Sequence, residues 1–173
     1  MLPRSPILHT QRLTLSTLRP ECADQAMDIL FHERTGKTYM LPVYASREAT
    51  RVTFEHLMRL SLREDRFLYG IYLCDLLIGW IHETEVSGDR MEIGYAIHPD
   101  HQNQGYATEA LRCVIQELFR MGFRHVRAGC FQENPASARV MVKCGMTLTG
   151  ESEVIAYRGS SHVCVFYEIS FVP

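Results

Sequence analysis

"HPDHQNQGYATEAL", residues 98–111, decides how the rest of the chain is read. It stands between an alternating apolar run, "MEIGYAIH" (91–98), and the most periodic apolar pattern in the sequence. There Ala107, Ala110, Leu111, Val114, Ile115 and Leu118 fall on one face of a helix, which "MGF" (121–123) terminates. Pro99 lacks a backbone donor and stops the strand, so the chain must turn sharply into the helix. The first turn of a helix carries amides without internal partners and the positive end of the peptide dipoles. Gly105 has no Cβ and accepts positive φ, so the backbone there can approach a ligand closely, and the small Ala107 extends the clearance. A phosphate or pyrophosphate held by such amides needs no lysine. The plainer alternative is that Gly105 is only a turn residue. The pattern Gln/Arg-x-x-Gly-x-Gly/Ala, here Gln102 to Ala107, is loose by itself and gains weight from its place between strand and helix. Neither a Walker loop nor a Gly-x-Gly-x-x-Gly fingerprint is present.

Downstream, "HVRAGCF" (125–131) reads as a strand and "NPASARVMVKCG" (134–145) as a short helix. Asn134 can cap that helix, Pro135 suits its first position and Gly145 its end. "MTLTGESEVIAY" and "HVCVFYEISF" close the chain as strands. Upstream, "FLYGIYLC" (67–74), "LLIGWIHE" (76–83) and "MEIGYAIH" form antiparallel hairpins, separated by little more than Asp75 and by "VSGD". "RLTLSTL" (12–18) alternates as a half-buried strand does. Pro20 and Glu21 open a helix with Ala23, Ala26, Met27 and Leu30 on one face. Ser46 caps another, carrying Ala49, Val52, Leu57 and Leu60 and ending near Arg63. "HERTGKTYMLPVYAS" connects the two as a loop. The order is βααβββαβαββ, an α/β (α+β) fold with a mixed, mostly antiparallel sheet of about seven strands and about four helices. Strand–helix–strand around the long helix implies one parallel pair. One domain over 1–173 is expected, because no linker, repeat or low-complexity tract interrupts the chain.

The apolar fraction of 46% and charged fraction of 22% are those of an ordinary globular protein. Net charge is −2, with lysine and arginine scattered, so no basic face for nucleic acid is visible. Apolar stretches fall well short of the ~20 residues of a membrane helix, and "MLPRSPILHT" lacks a signal core. The six cysteines include no Cys-x-x-Cys pair and are read as reduced and structural, which places the chain in the cytoplasm. His98 and His101 have metal-like spacing, but a proline intervenes and no further ligands lie near, so no metal is expected.

"IGYAIHPDHQNQGYATEAL", followed 23 residues after its end by "NPASARVMVKCGM", resembles the GNAT superfamily of acetyl-CoA-dependent N-acetyltransferases. More narrowly, the chain is similar to the RimJ/RimL-like branch of ribosomal-protein N-terminal acetyltransferases. There "GYATEAL" and "EN-x-x-S-x-x-V-x-x-K-x-G" recur in this order, and the "TQRLTLSTL" opening and "LIGWI" strand match in style. The resemblance implies that Gln102, Asn103, Gln104, Gly105, Tyr106, Ala107 and Thr108 form the loop whose amides bind the coenzyme A pyrophosphate. It implies that the backbone at Ile97 and His98 pairs with the pantetheine arm, and that a bulge splays this strand from the parallel strand 125–131. It also makes Asn134 the asparagine that bonds the pantetheine, beside its role as a helix cap. Many members carry a tyrosine seven residues after that asparagine, near the sulfur, where this chain has Met141. The RimJ/RimL-like branch often lacks it, and its serine three residues after the asparagine, here Ser137, becomes the candidate proton donor; a serine in a first helical turn also commonly bonds backbone.

For the general base, Glu92 is the leading candidate. It points to the opposite face from Ile93 and Tyr95, where a carboxylate could take the proton of an ammonium; the bland alternative is an exposed strand carboxylate. Glu83, His82 and Glu168 are weaker candidates. Tyr157, Arg158 and His162 surround the final hairpin turn, which often covers the acceptor side in this family. Direct attack of a primary amine on the thioester needs no covalent enzyme intermediate, so no cysteine is required. The acceptor is then a protein N-terminal α-amine or a small amine. The competing function is a non-catalytic acyl-CoA-binding module. Such folds often pair through terminal strands, which leaves a homodimer open.

Overall fold

The computed structural model describes residues 2–172. Strand β1 (Leu8–His9) and β2 (Leu13–Ser16) lead to α1 (Ala23–Phe31), α2 (Glu33–Thr38) and α3 (Arg51–Ser61). A meander follows: β3 (Leu68–Leu73), β4 (Leu76–Ser87) and β5 (Arg90–Ile97). Then come α4 (Tyr106–Arg120), β6 (His125–Phe131), α5 (Pro135–Lys143), β7 (Thr147–Tyr157) and β8 (Ser160–Ser170). All eight strands share one sheet in the order β1-β2-β3-β4-β5-β6-β8-β7.

The expected mixed sheet and parallel pair are present, with differences at the edges. Thr10 closes a tight turn by accepting from the Leu13 amide through its hydroxyl, and this folds Leu8–His9 back as an additional edge strand. The segment after α1 is not all loop: His32 caps α2 by accepting from the Arg34 amide at its Nδ1. Ser46 accepts from the Ala49 amide as expected, but a 3-10 turn at Glu48–Thr50 precedes α3. That turn changes the helical phase, so Phe54 is buried at 2% exposure while Val52 faces out at 70%. In α4, Ala110, Leu111, Val114, Ile115 and Leu118 are buried, and Gly122 (φ 99°) follows its end. Gly145 (φ 86°) follows α5 in the same manner.

Each face of the sheet carries its own core. Leu13, Phe67, Ile81, Ile93 and Val126 pack with the buried face of α4 and with Met141 of α5. On the other face Leu68, Trp80 and Ala96 pack with Ile29 and Leu30 of α1 and Phe54 of α3. Trp80 is fully buried at the centre of that layer, and its truncation to Ala would cost about 3–5 kcal/mol.

Strands β5 and β6 make the feature that positions the site. They pair in parallel only at Arg90–Glu92 with His125–Arg127, and beyond Glu92 the two strands part. The β4–β5 register shifts between Glu83 and Glu85, making Thr84 the extra residue of a bulge opposite Glu92. A bulge increases local twist and bends the ladder, which turns the following part of β5 away from β6. The bulge that the resemblance implied therefore lies on the neighbouring strand, at the point where the splay begins. A cleft of about 910 Å³ occupies the gap and is lined from both faces of the sheet.

Candidate functional site

One wall of the cleft is the turn into α4. After a 3-10 turn at Pro99–His101, Asn103 (φ 61°) and Gly105 (φ 84°) adopt left-handed backbone, and Gly105 occupies the N-cap position with no side chain capping the first turn. Positive φ at alternate positions turns successive amides toward one side, which makes an anion-binding concavity. Gln104 is tied by its side-chain amide to the Asp100 carbonyl, and Gln102 donates to the Ile97 carbonyl at 3.0 Å. Arg12 holds the turn from outside. Its guanidinium pairs with Glu109 of α4 at 2.7 Å, donates to the Gln104 carbonyl at 3.0 Å and lies 4.5 Å from the Tyr106 ring centroid. Burial pushes the Glu109 carboxyl up, but hydrogen bonds from Thr10 and Arg12 outweigh it and hold the group below its ordinary value.

The splay itself is lined by Ile97, Tyr95 and α5. Tyr95 shares the α4–α5 face with Ile93, and its hydroxyl lies 2.7 Å from Ser137 Oγ. Burial raises the Tyr95 pKa, the bond to Ser137 opposing, so the phenol stays protonated at neutral pH. Asn134 caps α5 by accepting from the Ser137 amide at 3.2 Å, which leaves its NH₂ group as a donor at the cleft wall. Met141, at the position where the resemblance implied a tyrosine in many members, is fully buried in the core beneath. The His98 amide already donates to the Ile78 carbonyl at 2.7 Å, and the His98 ring accepts from the Asp100 amide. The free strand edge therefore lies before His98, toward Ile97.

On the opposite face the cleft meets side chains from distant segments. Glu92 accepts from the Thr84 hydroxyl at 3.1 Å and pairs with Arg127 of β6 at 3.2 Å. Arg127 also pairs with Glu151 at 2.6 Å, and its guanidinium carbon lies 3.9 Å from the Phe166 ring centroid. His82 lies across from Gly94, and its ring nitrogens meet the Tyr39 hydroxyl at 2.5 Å and the Glu83 carbonyl at 2.8 Å. Glu83 does not face this cleft: its carboxylate accepts from the Phe67 amide and pairs with Arg66. Glu168 lies outside the cleft, 3.3 Å from the His125 ring. The β7–β8 turn packs against α2 and the segment after it, where the Tyr157 hydroxyl donates to the Gly36 carbonyl at 2.6 Å and accepts from the Leu41 amide at 3.2 Å. Cys130 and Cys164 line the cleft as free thiols; burial pushes Cys130 up to about 11 and raises Cys164 as well.

The acetyltransferase (GNAT) domain family matches residues 12–147. The chain belongs to the GNAT acetyltransferase family. Among curated relatives, an uncharacterized N-acetyltransferase, YoaA of Bacillus subtilis (strain 168), is 28% identical over 90% of this chain and 91% of its own length. The ribosomal-protein-serine acetyltransferase of Escherichia coli (strain K12) is 32% identical over 61% of this chain and 60% of its own length, in keeping with the RimJ/RimL-like resemblance. The ribosomal L7/L12 α-N-protein acetyltransferase RimL, solved with coenzyme A, superposes with a TM-score of 0.82 at 20% identity, covering 95% of this chain and 97% of that one.

As a GNAT acetyltransferase, the chain uses acetyl-CoA as co-substrate, and the cleft fits it. An uncapped helix start with two left-handed residues suits a pyrophosphate, and a splayed strand edge suits an extended amide-bearing arm. Among the described residues no group of three or more histidine, cysteine, aspartate or glutamate side chains is placed to hold a metal, and no helix is long and apolar enough to cross a membrane. Three features escaped the sequence reading. Tyr95 had a readable signal, since it alternates with Glu92 on a strand running into the loop. Arg127 had none, and Tyr39 stood out only as one aromatic residue of the segment expected to shape the acceptor pocket, because their partners are 24 to 43 residues away.

Proposed function

We propose that this GNAT enzyme acetylates the α-amine of a peptide or protein N-terminus by direct attack in a ternary complex. One observation carries the reading: a single cleft passes through the sheet at the β5–β6 splay, with an amide-lined anion site on one face and a carboxylate-bearing, aromatic wall on the other. The co-substrate enters from the α4–α5 face. Asn103 to Thr108 present amides to its pyrophosphate, the β5 edge near Ile97 pairs with its arm, and Asn134 donates to that arm from α5. The amine arrives from the opposite face, where Glu85, Glu92 and Glu153 offer negative charge to an ammonium. Phe131 and Ile155 give the same wall an apolar surface for a first side chain. The described N-terminal relative supports a peptide acceptor, and the mixed charge of the wall fits a peptide better than a polycation.

Transfer forms the nitrogen–carbon bond and breaks the carbon–sulfur bond, and the departing thiolate takes a proton. Ser137 supplies it in this reading, backed by the protonated Tyr95 phenol 2.7 Å away, so that a β5 tyrosine stands in for the one missing from α5. An acetyl-enzyme route through Cys130 or Cys164 is disfavoured, because burial holds both thiols protonated at neutral pH.

The test is acetyl-CoA-dependent thiol release with Ser-, Ala-, Met- and Asp-starting peptides, free amino acids, polyamines and aminoglycosides. Release with peptides, following a sequential kinetic pattern and placing the acetyl group on the α-nitrogen, is expected. Coenzyme A binding without release on any amine would instead support a non-catalytic acyl-CoA-binding module.

A further inference from the structure

We infer that Tyr39 and His82 form the proton-accepting relay on the amine side of the cleft, an assignment that rests on the acetyl-transfer reading above. A carbonyl oxygen only accepts, so His82 must carry its proton on Nδ1, bonded to the Glu83 carbonyl at 2.8 Å. Nε2 is then the lone-pair nitrogen and accepts from the Tyr39 hydroxyl at 2.5 Å. The Trp80 indole donates to the Tyr39 oxygen at 3.2 Å, which turns the phenolic proton toward His82. Three fixed bonds thus aim one chain, indole to phenol to imidazole. Tyr39, His82 and Gly94 all line the cleft beside Glu92.

Gly94 gives the relay its opening. It pairs directly with His82 across β4–β5, and a Cβ at this position would lie 3.4 Å from His82 Nε2 and 3.2 Å from the Thr84 methyl. A side chain there would stand between the imidazole edge and the cleft. Burial lowers the His82 pKa, against the Glu83 carbonyl bond and with Arg66 adding to the lowering. The ring is therefore neutral at physiological pH. The other titratable groups around it are Tyr39, pushed up to about 12 by burial, and Glu92, two residues from Gly94 on the same face of β5. Glu92 is already committed to Arg127 and Thr84, which leaves proton acceptance to the Tyr39–His82 pair.

The ammonium loses one proton to water before attack, and once the neutral amine nitrogen has bonded to the acetyl carbon, one of its two N–H protons is strongly acidic while the other stays on the amide. The acidic proton passes to the Tyr39 oxygen as the Tyr39 hydroxyl proton passes to His82 Nε2. The products are a neutral amide nitrogen, an unchanged phenol and an imidazolium, which returns its proton to water after release.

His82→Gln, which keeps a side-chain partner for Tyr39 but does not titrate, and Tyr39→Phe test the relay. Each is expected to lower kcat about 100-fold, with coenzyme A affinity within about twofold of wild type showing intact folding. The acid limb of kcat at saturating amine, set in the wild type by His82 below its ordinary value of 6.5, is expected to vanish in His82→Gln, while the limb that the free amine's own protonation gives to kcat/KM persists. Retention of kcat within about threefold, or an unchanged acid limb of kcat, would overturn the assignment. A wild type that turns over no amine contradicts the acetyl-transfer reading instead. The relay is then judged by imidazole ¹⁵N spectra of the wild type: an Nδ1–H tautomer titrating below 6.5 supports it, and an Nε2–H tautomer or a higher pKa overturns it.

Discussion

The two faces of the cleft are built differently. On the α4 side, one continuous stretch from Ile97 to Thr108 shapes the wall and works through its backbone. On the amine side, Tyr39, His82, Glu92, Arg127 and Ile155 arrive from five segments, and Tyr157 behind them reaches back 118 residues to the Tyr39 carbonyl. A backbone site is specified by local conformation and tolerates most side chains, provided glycine sits where φ must be positive. A side-chain site depends on registers and bulges fixed by the whole sheet. Substitutions should therefore separate cleanly, with those in the loop moving coenzyme A affinity and those on the opposite face moving turnover.

The largest expected effect is that of Gly105→Glu. A side chain at φ 84° is strained, its Cβ would lie 3.3 Å from an Arg12 nitrogen, and its charge would meet the pyrophosphate. Strain and repulsion together cost roughly 3 kcal/mol or more, about a hundredfold or more in coenzyme A Kd by calorimetry. Arg127→Met comes next. It leaves Glu92 and Glu151 without their shared cation, and kcat/KM for the amine should fall roughly 30-fold while coenzyme A affinity holds. Equal losses in both quantities would break the division between faces. Tyr95→Phe removes the hydroxyl behind Ser137 and should lower kcat by about tenfold without raising the Kd, as read by steady-state kinetics beside calorimetry.

Arg12→Ala is expected to have the smallest effect and to fall on the loop side. Arg12 is 41% exposed, so after screening the loss is about 1 kcal/mol, or ~2–4 °C in melting temperature. Its pH signature is specific. Glu109 is held below its ordinary value of 4.5 in the folded protein, so its contribution is complete above that pH and is lost as pH falls further through the folded value. In Arg12→Ala this acid loss should shrink, and a melting curve against pH with an unchanged acid limb would remove Arg12 as the cause.

The same contrast explains what the sequence made legible. Gly105, the α4 stripe and the Asn134–Pro135–Ser137 start of α5 are local signals, and each holds in the fold. The bulge at Thr84 left no mark, because nothing in "HETEV" distinguishes an inserted residue from a paired one. Glu92 was placed on the correct face by alternation, yet its pairing with Arg127 follows from a parallel register that alternation does not reveal. His82 was visible as a histidine near the site. Its role rests on Tyr39, in a segment that carries no strand or helix period to anchor it.

In the proposed complex the α4 turn and the splayed β5 edge hold the co-substrate while the opposite wall stays free for the amine. Titrating coenzyme A into ¹⁵N-labelled protein and following amide shifts tests it most directly. The main perturbations are expected at residues 95–97, 103–108 and 134–137, with Glu85, Arg127 and the 157–159 turn little changed. Perturbations centred on the amine wall, or saturable binding that leaves 103–108 unmoved, would contradict it.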